Sequence, residues 1–390
     1  MDSRIVTIGA GQAGLTASVS LRESGWTGPI TLVGEENHSP YQRPPLSKGY
    51  LSGAEGDDTL TLKSDAALER ADIAVVLGKQ AIAIDRHQQH VILEDGTTVP
   101  YDFLILATGS SVRELSIPGN DLEGIHYVRT VGDADELRAD FELGGDTVFI
   151  GGGFLNLEIA VQAQRVGHVT IAEVGSQILG RVVSQETANA LADRHREQGM
   201  EILTGVEVAE ICGEHGRVAG ITLKSGENFP TRRVVVSIGS VARTNLAETA
   251  GLEVDRGILV DKNLRTSDPR IFAIGDCAKY PNRYAGIDMR VESVQNAADH
   301  GRFLATVLTG ACKDGYCSVP WFWSTQGDMK LQIAGISMAS DESRIVEQTD
   351  TGRLVVERYR EGRLVAVETV NAPGPHMKAR HALAAGMVSA

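Results

Sequence analysis

The arrangement that most restricts what this chain can fold into is a unit that occurs twice: a short apolar strand, a glycine-rich turn, a helix, a second strand and a terminal carboxylate. In the first copy the Ile- and Val-rich stretch Arg4 to Ile8 runs into Gly9-Ala10-Gly11-Gln12-Ala13-Gly14. A helix is expected over Leu15 to Ser24, stopped by Gly25, and the strand Ile30 to Val33 leads to Gly34-Glu35. In the second copy Thr147 to Ile150 precedes Gly151-Gly152-Gly153, a helix from Phe154 to Val166 ends at Gly167, and Val169 to Ala172 closes on Glu173. Both are βαβ units with a dinucleotide fingerprint at the first turn. Glycine permits the tight turn, lets backbone approach a pyrophosphate and lets helix pack close to strand. Free N–H groups at the helix start then face the phosphates.

The terminal carboxylates add a second signal. Glu35 lies 26 residues after Gly9 and Glu173 lies 22 after Gly151, each where it can accept from a ribose hydroxyl. At Glu173 a carboxylate favours a free 2′-hydroxyl and repels a 2′-phosphate, which predicts NADH over NADPH. The second turn departs from the pattern at its third glycine, where Asn156 stands. A side chain there is expected to crowd the helix against the strand or to project toward the pyrophosphate.

Between the units, Val91 to Leu93 and Asp95-Gly96 signal a hairpin, and the strand Phe103 to Leu106 enters Ala107-Thr108-Gly109. After the second unit, Val234 to Val236 enters Ser237-Ile238-Gly239, and Ile271 to Ile274 ends in Gly275-Asp276. The last seventy or so residues change character. Lys330 to Met338 and Arg344 to Asp350 read as strands, Leu354 to Tyr359 and Leu364 to Val370 flank a Glu361-Gly362 turn, and a helical tail starts near His376.

Composition narrows the function classes. With 42% hydrophobic and 23% charged residues the chain of 390 is an ordinary globular one, long enough for two or three cores. Lys plus Arg number 37 against 51 Asp plus Glu, a net charge of −14, which argues against nucleic acid or an anionic membrane as partner. Net charge leaves open a local basic patch for an acidic protein. The four cysteines, Cys212, Cys277, Cys312 and Cys317, form no CxxC pair, and no metal site is expected. Their usage, the lack of a signal-like start and the lack of a long apolar run predict a soluble, cytoplasmic protein.

The segment Pro40-Tyr41-Gln42-Arg43-Pro44-Pro45-Leu46-Ser47-Lys48 makes the reading more specific. With Leu106-Ala107-Thr108-Gly109, Gly275-Asp276-Cys277-Ala278, Glu292-Ser293-Val294-Gln295-Asn296-Ala297 and Ser318-Val319-Pro320-Trp321-Phe322-Trp323-Ser324, it resembles the FAD-dependent ferredoxin reductases of bacterial oxygenase systems. The likeness runs in order through essentially the whole chain. It implies an α/β fold of two Rossmann-like dinucleotide-binding domains, glutathione-reductase-like, plus a small α+β C-terminal domain. The FAD domain is expected at 1–112 and 245–320, the NAD domain at 113–244 and the C-terminal domain at 321–390.

The resemblance also implies roles. FAD is expected at Gly9, Gly11, Ala13, Gly14, Glu35, Arg43, Lys48, Ala81, Ala107, Thr108, Gly109, Arg129, Asp276, Val294 and Trp321. NADH is expected at Gly151, Gly153, Phe154, Leu155, Asn156, Glu158, Glu173, Ile238, Gly239 and Glu292. Lys48, Glu158 and Glu292 are the charged candidates near the ring, and Trp323 is a candidate contact for the electron acceptor. No cysteine follows the first βαβ unit where a disulphide reductase carries its pair, so the implied chemistry is hydride transfer from NADH and single-electron release to a 2Fe–2S ferredoxin. That ferredoxin would feed a cytochrome P450 or a Rieske oxygenase. No acid or base residue is required, because position and electrostatics suffice. Besides Asn156, Ser237 and Ala242-Arg243 depart from the family's usual residues, which points to altered nicotinamide binding. An NADH oxidase, a rubredoxin reductase and a redox-sensing protein like apoptosis-inducing factor are the competing readings.

Overall fold

The structure, a computed structural model, describes residues 2–312 and 314–388. The chain forms two compact units. One gathers the chain up to Gln42, Asp58–Ser111 and Val241–Trp321; the other gathers Arg43–Asp57, Val112–Ser240 and the chain from Phe322. The segment Arg43–Asp57, expected within the first dinucleotide domain, thus groups with the second unit.

The first unit is built on a five-stranded parallel sheet in the order Ile271–Ala273, Phe103–Leu106, Ile5–Ile8, Ile30–Val33, Ile73–Val76. Every residue of Ile5–Ile8 is buried, as expected of a central parallel strand covered on both faces. The helix Gln12–Glu23 begins inside the glycine turn, earlier than the expected Leu15, with Gly11 at its N-cap. Beside it lies the helix Val294–Leu308, and a methyl group added at Gly301 would stand 2.7 Å from Ala17 N, so the two backbones touch. Smaller sheets complete the unit, one of them Ala81–Asp85, His90–Leu93 and Thr98–Pro100 around the expected Gly96 turn.

The second unit repeats the architecture. Its parallel sheet runs Glu201–Thr204, Val169–Glu173, Thr147–Ile150, Arg233–Val236, Ile125–His126. An antiparallel meander, Val208–Glu214, Arg217–Leu223 and Asn228–Pro230, was not foreseen. The C-terminal part is a five-stranded sheet in the order Trp321–Gln326, Met329–Gly335, Arg363–Val370, Leu354–Arg360, Glu342–Gln348, followed by the helix Pro373–Val388. Its first strand, Trp321–Gln326, was likewise missing from the expected elements. The strand expected to reach Met338 stops at Gly335, whose φ of +86° breaks the extended backbone. The last helix starts three residues before His376, at Pro373, because proline suits the first helical turn.

Candidate functional site

The first turn is closed against its own sheet. Gly9 has φ +111°, and a Cβ there would stand 2.1 Å from Ala107 O; one at Gly14 would stand 2.0 Å from Gly9 O. Only glycine fits either position. Gly11 is the opposite case, with open space where a Cβ would go. No side chain caps this helix and its first turn holds no acidic residue, so the N–H groups at its start remain for an anion. These features fit a pyrophosphate. Ala13 packs against Gly275, where an added Cβ would lie 2.9 Å from its methyl.

Around that turn the predicted residues gather in small groups. Glu35 forms an ion pair with Arg243. Arg243 is held by its backbone: Thr108 Oγ1 donates to its carbonyl at 2.7 Å, and its N–H donates to Gly109 O at 3.0 Å. Asp276 accepts from Ser110 Oγ at 3.3 Å, its carbonyl accepts from Arg290, and Arg290 also pairs with Glu292 at 2.8 Å. Val294 opens the helix capped by Ser293. Trp321 N donates to Gln295 Oε1 at 3.1 Å. Ala81 heads a small-sheet strand opposite Leu93.

In the second unit, a Cβ at Gly151 would stand 2.3 Å from Ser237 O, and Gly153 is an uncapped helix start. Ile238 and Gly239 follow, with Gly239 O accepting from Arg113 N at 3.0 Å. Glu173 turns inward: its two oxygens accept from Gly152 N at 2.5 Å and Gly175 N at 2.6 Å. Asn156 does not behave as expected. It is fully buried, and its Nδ2 donates to Ile150 O at 2.9 Å and Gly151 O at 2.8 Å. The side chain neither crowds the helix nor projects outward; it tacks the helix to the end of the strand by hydrogen bonds.

The charged centre of this unit is Glu158. Its Oε2 accepts from Lys48 Nζ and from Ser47 Oγ, each at 2.6 Å, and its Oε1 accepts from Ser324 Oγ at 2.7 Å. Glu158 is 7% exposed, so the ion pair is poorly screened, and the 3₁₀ turn Pro44–Ser47 holds Lys48 in place. Arg43 donates to Arg129 O, and Arg129 N donates to Asp133 Oδ2 at 2.8 Å. Phe154 lies 4.5 Å from the Phe322 ring, Leu155 is half-buried, and Trp323 is half-buried with its ring 6.5 Å from Phe322. Sequence reasoning singled out Lys48 and Glu158 separately. It missed Ser47 and Ser324 as their partners and Arg243 as the partner of Glu35, because such contacts join residues over a hundred positions apart.

All four cysteines are free, and Cys277 is buried, which pushes its thiol pKa up. Among the described residues no cluster of side chains could hold a metal ion, and no helix is long and apolar enough to cross a membrane. Two glycine-turn βαβ units, each closing on a carboxylate, with an antiparallel C-terminal sheet, define a dinucleotide-dependent oxidoreductase. The chain belongs to the pyridine nucleotide-disulphide oxidoreductase family, whose model matches residues 3–301, and a reductase C-terminal model matches residues 321–389. The family uses FAD and NAD(P)H. The chain is 44% identical to a rhodocoxin reductase of Rhodococcus erythropolis, over 98% of this chain and 90% of the relative. Among solved structures it is similar to a ferredoxin reductase for the CYP199A2 system from Rhodopseudomonas palustris, with 38% identity, a TM-score of 0.92 and coverage of 95% and 91%. It is also similar to the reductase of a covalent putidaredoxin reductase–putidaredoxin complex, with 34% identity, a TM-score of 0.94 and coverage of 98% and 93%.

Proposed function

We propose that this protein is an FAD-dependent reductase that takes hydride from NADH and passes single electrons to a 2Fe–2S ferredoxin serving a cytochrome P450 or a Rieske oxygenase. The observation that carries the reading is the pair of open glycine turns in a chain whose cysteines are all single and free. A family member without a dithiol has no internal acceptor beyond its flavin, so electrons must leave to a separate carrier. The names of the relatives, reductases of rhodocoxin and of putidaredoxin, support a ferredoxin as that carrier.

Bound FAD supplies a two-electron acceptor that gives up electrons singly, and NADH supplies the hydride. In the FAD domain the backbone of Gly9, Gly11 and Gly14 receives the pyrophosphate, Glu35 held by Arg243 receives the adenosine ribose, and Asp276 receives the ribityl chain. Ala13, Ala81, Ala107, Thr108, Gly109, Arg129, Val294 and Trp321 line the same cofactor. Arg43 and Lys48 stand beside the ring, with the Lys48 ammonium held by Glu158. In the NAD domain Gly151, Gly153, Phe154, Leu155, Asn156, Ile238 and Gly239 form the nucleotide turn, and Glu158 and Glu292 flank the nicotinamide. The negative charge of Glu173 disfavours a 2′-phosphate. Trp323 meets the electron acceptor. Four free cysteines without a disulphide favour a reducing cytoplasm.

Purified holoenzyme, supplied with NADH and a panel of ferredoxins and rubredoxins, tests the reading. Cytochrome c reduction that depends on an added 2Fe–2S ferredoxin is the expected result. Equal NADH consumption with oxygen alone, and no stimulation by any carrier, would overturn it.

A further inference from the structure

Ser324, the third donor to Glu158, opens a line of contacts that leads away from Lys48. Gln326 Nε2 donates to Ser324 Oγ at 3.1 Å, and Gln326 Oε1 lies 2.8 Å from His195 Nε2. Ser324 and Gln326 alternate on one face of the strand Trp321–Gln326, and His195 stands on the helix Gln185–Glu197. All three are 0% exposed.

The direction of every bond follows from one fact: an ionised carboxylate only accepts. Ser324 therefore donates to Glu158 and must itself accept from the Gln326 amide. That turns the Gln326 carbonyl toward His195, which then donates from Nε2 and carries its proton there. Burial pushes the His195 pKa down, against weaker opposing effects of Gln326 and Asp328, in keeping with this neutral imidazole. The chain does not conduct protons. A carboxamide holds its N–H protons, and His195 Nδ1, at the far end, is buried with no hydrogen-bond partner. What aligned donors do instead is polarise one another and fix the group they end on.

We propose that Ser324, Gln326 and His195 are positioning residues that hold the Glu158 carboxylate, and through it the Lys48 ammonium, in register for hydride transfer. This rests on the reading that Lys48 and Glu158 stand beside the flavin and the nicotinamide. Neither Ser324 nor Gln326 has to touch either group to act, because their effect passes through the carboxylate.

The test uses holoenzyme variants Ser324→Ala, Ser324→Thr, Gln326→Leu and Glu158→Gln. Anaerobic stopped-flow mixing with NADH gives the NADH affinity and the limiting rate of flavin bleaching, and ¹⁵N NMR gives the His195 tautomer. Ser324→Ala and Gln326→Leu are expected to slow the limiting rate about tenfold, inside the hundredfold that a small misplacement can cost, with NADH affinity unchanged. Ser324→Thr, which keeps the hydroxyl, is expected to restore the rate, and wild-type His195 to show the Nε2–H form. If Gln326→Leu folds poorly, the smaller change Ser324→Ala decides the same question. A slow Glu158→Gln beside a fast Ser324→Ala would overturn the positioning role alone. A fast Glu158→Gln would remove the placement of Glu158 beside the ring, and this proposal with it. An Nδ1–H form of His195 in the wild type would reverse the chain and also overturn it.

Discussion

Asn156 stands where a nucleotide turn ordinarily needs a third glycine, and the structure shows why it is tolerated. In the first unit a Cβ at Gly14 would stand 2.0 Å from Gly9 O, so no side chain fits there. In the second unit the asparagine turns its amide back onto the carbonyls of Ile150 and Gly151 and replaces close packing with two hydrogen bonds. Asn156→Gly removes both bonds and adds backbone freedom inside a helix, a loss of about 1–3 kcal/mol. The expected outcome is a lower melting temperature and a few-fold higher Michaelis constant for NADH, through a loosened turn, with no gain of NADPH use. A raised Michaelis constant at unchanged melting temperature would mean that the side chain meets the nucleotide directly. The sequence marks Asn156 as the odd residue, because composition and spacing are local. Which way its amide points is decided by carbonyls at the end of a different element, and nothing in the spacing reports that. The same limit applies to Lys48 and Glu158, legible one by one but not as a pair separated by 110 positions.

Arg233 shows the same at the scale of elements. It opens the strand Arg233–Val236, is fully buried, and reaches the C-terminal end of the helix Val131–Glu142. There it pairs with Asp140 at 2.8 Å, donates to the carbonyls of Asp140 and Gly144, and lies over the Phe141 ring. A cation at these carbonyls suits the negative end of the helix dipole. Burial raises the Asp140 pKa, yet His126 and Arg233 outweigh it and hold the carboxyl well below its usual range. Arg233→Met leaves the half-buried carboxylate with only His126 and the more distant Arg232, 3.5 Å away, which is expected to cost about 3 kcal/mol in denaturant unfolding, and Arg233→Met/Asp140→Asn is expected to recover part of it. No recovery in the double variant would mean that packing, not charge, is what Arg233 contributes. Sequence reading reached the apolar part of this strand, Val234 to Val236, and stopped short of the arginine. Strands such as Ile30–Val33, Thr147–Ile150 and Phe103–Leu106 were legible to the residue, being short, almost wholly apolar runs with a glycine at most three positions beyond their end. The meander Val208–Pro230 was not, because its half-exposed strands mix Glu, Cys and Thr among the apolar positions. Its turns did leave a trace in Gly216 and Gly226, both at positive φ.

Over the whole molecule, three buried histidines make the fold acid-sensitive. His195, His300 and His376 are 0–1% exposed, and burial is the leading cause that lowers each pKa, to about 3 at His300 and about 4 at His376. His300 sits in the first unit, where its Nδ1 accepts from Gly275 N at 3.1 Å, so protonation would also strip the glycine turn before Asp276 of an acceptor. The sign is fixed by which state takes the proton. An unfolded histidine protonates near pH 6.5, while folded His300 stays neutral to about pH 3 and folded His376 to about pH 4, and His195 is shifted in the same direction. Between those values the unfolded chain holds more protons, so stability falls as pH falls, by up to about 1.4 kcal/mol per pH unit for each histidine. Titration also lowers the net charge of −14 and relieves self-repulsion. That relief is spread over exposed, screened charges and is the weaker effect. Depressed carboxyls such as Asp140 and Asp341 contribute later, since what they add is lost only below the ordinary carboxylate range near pH 4. Denaturant unfolding at steps from pH 7.0 to 4.5 is therefore expected to lose stability from about pH 6.5 downward, ahead of carboxylate titration. His300→Gln keeps an acceptor for Gly275 N without a titrating group, so it is expected to make the loss of stability between about pH 6.5 and 4.5 shallower by one histidine's share. The same dependence of stability on pH in His300→Gln as in the wild type would show that this histidine is not what senses the acid.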